Sequence, residues 1–158
     1  MTWQRTTIQI PKDLKPKQRQ AIALEVIDFI VERSKKGYDK NGKKFIPASG
    51  YSASYANSQD FKNAGKSKGK INLTLSGEML NSIEHLKDKA GEITIGFDKS
   101  DDELNGKAEG NILGSYGGDP NPKKARDFLG IQEKDLNKIL KNYVSDDEGR
   151  TEKLLRTK

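Results

Sequence analysis

The clearest helical periodicity in this chain runs through Ala21, Ile22, Leu24, Val26, Ile27, Phe29, Ile30 and Val31. Glu25, Asp28 and Glu32 fall three and four apart and form one wet stripe on an otherwise wide apolar surface. Pro16 suits the first turn, where its missing N–H costs nothing, and Lys35, Lys36 and Gly37 suit the C-terminal stop. A helix with so broad an apolar face fits packing on a sheet and on a neighbouring subunit. A second helical face, Leu136, Ile139, Leu140 and Tyr143, predicts a helix within 132–143. Between them, the spacing of Met79, Leu80, Ile83 and Leu86 predicts a short helix over 76–86, with Ser76 as its cap.

Two stretches read as extended. Thr6 to Ile10 alternates enough for a short strand or arm before Pro11, and Glu92 to Phe97 is a strand candidate. Leu73 to Leu75 reads as a further short extended piece. Asp39 to Gly42 is a turn, because Asn41-Gly42 can take positive φ, and Phe45, Ile46 and Pro47 then pin the loop onto the body. Residues 48–70 are a long polar stretch that ends in Lys62, Lys66, Lys68 and Lys70 with no acid between them. Loops of that length are functional or disordered. The acidic group Asp98, Asp101, Asp102 and Glu103 reads as a hairpin tip, and the glycine-rich Asn111 to Asp119 as a strand edge and turn. No repeat is visible. The pattern divides the chain into one domain over 1–144 and a charged tail over 145–158 that lacks a core face.

Composition narrows the picture. Hydrophobic residues are 32% and charged residues 33% of 158, against about 45–50% and about 25% in ordinary domains. A chain this thin in apolar residues is expected to gain order from neighbours in an assembly. No cysteine is present, which removes disulfides, thiolate nucleophiles and Cys-ligated zinc. No apolar run approaches the roughly 18 residues of a membrane span, and the first eleven residues lack a signal-peptide core; a soluble protein made in the cytoplasm is the expectation. Residues 1–70 hold 15 Lys/Arg against 6 Asp/Glu, a balance of +9, and residues 71–158 hold 14 against 17, a balance of −3. The basic half suits DNA phosphates or an acidic protein surface.

The candidate chemistry is thin. Ala64-Gly65-Lys66-Ser67 resembles the end of a phosphate-binding loop, but Asp60 stands where the first glycine belongs. Asp39-Lys40-Asn41-Gly42 lacks the later ligands of a calcium loop. The acids at 98–103 read more readily as a solvated loop than as a cation site. His85 is the only histidine. A helix would set Ser82 beside it, yet nothing marks a nucleophile turn or an oxyanion hole. No catalytic residue, cofactor or metal is assigned, and no enzyme activity is expected.

Four segments in order carry a resemblance. They are Gly42-Lys43-Lys44-Phe45-Ile46-Pro47, Leu75-Ser76-Gly77-Glu78-Met79-Leu80-Asn81-Ser82-Ile83, Ile93-Thr94-Ile95-Gly96-Phe97, and Pro122-Lys123-Lys124-Ala125-Arg126-Asp127-Phe128-Leu129-Gly130-Ile131. The set resembles the tailed-bacteriophage virion-morphogenesis and tail-completion family over roughly residues 20 to 142. In that family a Gly-basic-aromatic-x-Pro turn, a Leu-x-Ser/Thr-Gly-x-Leu-x-x-Ser-Ile segment and a Pro-x-Arg-x-Phe-Leu-Gly run come in this order. The match departs at Phe45, where tryptophan is common, and at Asn111, where the family places a histidine.

The resemblance implies an α+β fold, a small mixed or antiparallel sheet flanked by the long N-terminal helix and the C-terminal helix, with long polar loops. It implies a structural virion protein at the head–tail joint, assembled in the host cytoplasm. Such subunits form rings, hexamers being favoured, that contact other phage neck, connector, tail-tube or terminator proteins and surround genomic DNA without a membrane. Contacts are expected at Lys62, Lys66, Lys68, Lys70, Arg126, Arg150, Leu154 and Leu155. Gly42, Phe45, Pro47, Leu75, Gly77, Leu80, Ile83, Phe128, Leu129 and Gly130 are expected to shape the subunit. The alternative is a basic nucleic-acid-binding accessory protein, suggested by a pI near 9.3.

Overall fold

A computed structural model describes residues 2–45, 57–63, 78–115 and 118–143. Its centre is a three-stranded antiparallel sheet with helices, an α+β fold. The chain enters as β1 (Arg5–Gln9), runs into the long helix α1 (Pro16–Lys35), and has a five-residue helix α2 (Gln59–Asn63). A single turn, α3 (Glu78–Asn81), precedes the hairpin of β2 (Glu84–Lys89) and β3 (Glu92–Gly96), then α4 (Asp102–Leu113) and α5 (Glu133–Leu140). The strand order is β1-β3-β2. The central strand therefore lies between two edges, and Ile93 and Ile95 on it are fully buried.

α1 begins and ends as its sequence signals require. Pro16 opens it, and the Lys15 N–H donates to the Gln18 side-chain oxygen at 2.8 Å. Ile22, Val26 and Ile30, four apart, and Ala23 and Ile27 beside them form the buried face. That face is narrower than the sequence suggests: Leu24 is 51% exposed, and Phe29 and Val31 are only partly covered. The helix lies on the sheet, with α5 against its flank. Fully burying one such side chain stabilises by about 1.5–3 kcal/mol, so this stripe is a large share of the folding energy.

The structure corrects three expectations. The helix predicted over 76–86 is one turn, α3, whose Ser82 hydroxyl donates to the Glu78 carbonyl at 2.7 Å. From Glu84 the chain becomes the edge strand β2, and a register shift between His85 and Lys87 breaks the two-residue alternation that would mark it. The acidic stretch is no hairpin tip but the start of α4: Asp101 caps it by accepting the Leu104 N–H at 3.0 Å, and Asp102 and Glu103 occupy the first turn. Asn111 to Gly114, read as a strand edge, is the end of the same helix. The stretch over 48–70 also contains α2, where Lys62 lies exposed.

One core cluster joins these elements, from Ile8 and Ile10 through the α1 stripe, Met79, Leu80 and Ile83 to Phe97, Phe128 and Leu140. α4 buries only Leu104 and Ala108 as apolar side chains, with Ile112 partly buried against the core, and compensates with amides. Asn105, 2% exposed, donates to the carbonyls of Asp98 (2.7 Å) and Asp101 (2.9 Å) and accepts the Gln4 N–H at 2.7 Å. A buried amide with its bonds filled costs little. Here it also fixes the arm before β1.

Candidate interaction site

The tight turn after α1 and the run before α5 are fastened together. The turn is closed by its own backbone: Phe45 N–H to Gly37 C=O at 2.9 Å, Asp39 N–H to Lys43 C=O at 2.8 Å, and the Asp39 carboxylate accepting the N–H groups of Asn41 (2.9 Å) and Lys43 (3.0 Å). Gly42 at its tip has φ +77°, and a Cβ there would lie 3.0 Å from the Gln132 side-chain oxygen. Position and conformation both favour glycine. Phe45, 3% exposed, then drops into the core.

Arg33 on α1 makes the decisive link. Its guanidinium donates to the Gly130 carbonyl at 2.7 Å and the Phe128 carbonyl at 2.5 Å. These carbonyls belong to a bend in which the Gly130 N–H returns to Phe128 C=O, so the helix ladder does not satisfy them. Burial pulls the Arg33 pKa below its usual value, and the nearby Asp39, Asp135 and Asp127 oppose that pull. Lys40 adds a second clasp through its N–H to Asp127 C=O at 2.9 Å and its ammonium to the Asp127 carboxylate at 2.9 Å. Beneath the clasps, Phe128 is fully buried and meets Phe97 edge-on, with ring centres 6.3 Å apart and planes at 76°.

The junction borders an open groove of about 510 Å³. One wall is β1, Thr6 to Gln9, and the other is the run from Leu129 to Glu133, with Lys40, Asn41 and Leu136 completing the lining. The bonds Ile10 N–H to Gly91 C=O and Phe97 N–H to Gln4 C=O show that even-numbered residues of this strand point their polar groups at β3. By alternation the N–H and C=O of Arg5, Thr7 and Gln9 face outward, as an edge presents them. The groove has no metal-holding cluster, and no group of three or more His, Asp or Glu converges anywhere among the described residues.

The structure brings Gly42, Phe45, Phe128, Leu129 and Gly130 to this junction, while Leu80 and Ile83 lie in the core behind it. Arg126 is half-buried, and its backbone N–H donates to Asn111 C=O at 2.6 Å. Pro47, Leu75, Gly77, Lys66, Lys68, Lys70, Arg150, Leu154 and Leu155 lie outside the described residues. Ser82 and His85 do not share a helix face, because the helix stops at Asn81 and His85 belongs to β2. The His85 ring is near Asp88 at 3.9 Å. Sequence reading missed Arg33, Lys40 and Asn105. Their only signal was indirect: a non-helical Phe-Leu-Gly bend leaves carbonyls that need donors. No helix among the described residues is long and apolar enough to cross a membrane. No protein-family model, curated protein or solved structure matches the chain.

Proposed function

We propose that this chain is a structural virion protein of a tailed bacteriophage, acting at the head–tail joint as a neck or tail-completion component. The observation that carries the reading is the ordered set of four motif segments, from Gly42 to Ile131. The described parts of all four enter one core, and Arg33 and Lys40, which precede the first segment, clasp the last. On this reading the subunit works through interface complementarity without bond chemistry. Copies close into a ring, a hexamer by preference, around a lumen for DNA, and the ring meets connector, terminator or tail-tube proteins above and below. Ring closure is essential, since an interface that fails to close builds a filament.

Light scattering on the purified protein, at low and high salt, tests it. A single species of several subunits, seen as closed rings by negative-stain microscopy, is the expected result. A monomer at every concentration and salt would count against the ring, as would open filaments.

A further inference from the structure

A second site lies around the start of β1. Trp3 is the chain's single tryptophan. Its indole N–H donates to the Phe97 carbonyl at 2.6 Å, and the next residue, Gln4, is held by Asn105 and by Phe97 N–H. The Arg5 guanidinium lies 4.0 Å from the centre of the indole ring, and the Lys99 ammonium 5.5 Å from the same centre. Gly96, opposite Arg5 on β3, makes the space: a Cβ there would stand 2.5 Å from Gln4 C=O and 2.8 Å from the Arg5 Cβ. Two cations are thus gathered on one fixed ring.

The ring's negative face offsets part of their mutual repulsion. Among the described residues neither cation has a carboxylate partner. The adjacent Asp98 already accepts the Ser100 N–H (2.8 Å) and hydroxyl (2.7 Å), which hold its pKa below the usual value. Glu84 stands across Gly96 on β2, on the same face of the sheet. A guanidinium over an aromatic ring keeps its in-plane N–H donors turned to solvent, the geometry that suits an anionic oxygen pair.

The surrounding surface favours one kind of anion. The solvent face of the sheet continues through Thr7 and Thr94, whose hydroxyls are 3.0 Å apart, to Lys87 beside Thr94. It offers these donors beside the carboxylates of Glu84 and Glu92 and, apart from the Trp3 ring, no apolar anchor; the exposed large apolar residues among the described residues, Leu24 and Leu113, belong to helices. Protein interfaces centre on buried aromatic or aliphatic anchors, whereas sequence-independent nucleic-acid contact needs only placed cations and hydroxyls. We infer that Trp3, Arg5 and Lys99, with Thr7, Thr94 and Lys87, form a site for the phosphodiester backbone of nucleic acid. The inference does not rest on the ring reading.

Because Trp3 is the only tryptophan, its fluorescence reports the site directly. The full chain is titrated with duplex DNA over a range of salt, and in parallel with polyglutamate. The expected result is a saturable change in Trp3 emission with DNA and a linear fall of log affinity with log salt. Arg5→Gln with Lys99→Gln reduces the slope by about 1.8, at about 0.9 per lost phosphate contact. Both side chains are exposed, so circular dichroism should match the parent. DNA binding with an unchanged slope in the double variant would place the contact elsewhere on the chain and overturn the inference. No emission change with DNA would also overturn it, as would polyglutamate matching DNA.

Discussion

Helix α1 is fastened at both ends to the segment around α5, but by different chemistry. At its C-terminal end a half-buried guanidinium grips two main-chain carbonyls, Phe128 and Gly130. At its N-terminal end Gln18 donates to the Tyr143 carbonyl at 3.0 Å, the Tyr143 hydroxyl bonds the Glu25 carboxylate, and Arg19 pairs with Asp88 of β2 at 2.5 Å. The first end binds backbone, so it fixes the path of the chain whatever side chains stand there. The second end adds to its one backbone bond, from Gln18, side-chain partners that carry ionisable groups. The C-terminal clasp should therefore set whether the junction exists at all, and the N-terminal clasp should tune it with pH.

The largest effect is expected beneath the C-terminal clasp. Phe128→Ala removes a fully buried ring and its edge contact with Phe97, at a cost of about 3–5 kcal/mol. That is a large part of a total stability of about 5–15 kcal/mol, and urea unfolding would read it as a lowered midpoint with an unchanged slope. Next comes Arg33→Ala, which removes two charge-assisted bonds, leaving Phe128 C=O only its Gly130 N–H, and costs about 3 kcal/mol. Arg33→Lys should recover less than half of that loss, because one ammonium cannot reproduce a planar two-pronged grip. A loss under 1 kcal/mol for Arg33→Ala would mean that water replaces the guanidinium, and the contrast between the two ends would fail.

These two residues also mark where sequence reading succeeds and stops. Phe128 was legible, because a Phe-Leu-Gly bend before an apolar helical face has a packing reason of its own. Arg33 was not: it occupies a polar position near a helix end, and its partners lie 95 and 97 residues away. The same holds for the elements. α1, β3 and α5 announce themselves because one face of each is continuously apolar. α4 hides because Gly106 and Gly110 lower its propensity by about 1 kcal/mol each, although the Asp101 cap and Gly114 stop were both present to be read. β2 hides because a bulged, charged edge strand has no clean alternation.

At the N-terminal end the effects are smaller and depend on pH. Desolvation first, then the bond to Glu25 and its negative charge, push the Tyr143 hydroxyl up to about 12. Its ordinary value is about 10. In that window the folded state holds a proton that the unfolded state has lost, so the contribution is whole below pH 10 and falls as pH rises toward 12. Tyr143→Phe should cost about 1 kcal/mol at neutral pH and flatten the alkaline decline. Denaturant midpoints of the two proteins, compared from pH 8 to 11.5, would show the curves converging as pH rises. Parallel curves would mean that another group governs the alkaline limb.

The smallest effect separates the two halves of the C-terminal clasp from each other. The Lys40 ammonium and the Asp127 carboxylate are 43% and 33% exposed, and exposed pairs contribute about 0–1 kcal/mol. The Lys40 backbone bond to Asp127 C=O survives any side-chain change there. Lys40→Ala should therefore shift the midpoint barely, and less still in high salt, where screening already weakens the pair. The Lys40 side chain also crowds Gly130, lying 3.0 Å from where a Cβ would be. A Gly130→Ala variant should then be tolerated better in the Lys40→Ala background than alone. If the double-mutant cycle instead shows the two changes to be additive, Lys40's side chain does not set the space at Gly130, and the Arg33 guanidinium bonds with the Lys40 backbone bond define the bend.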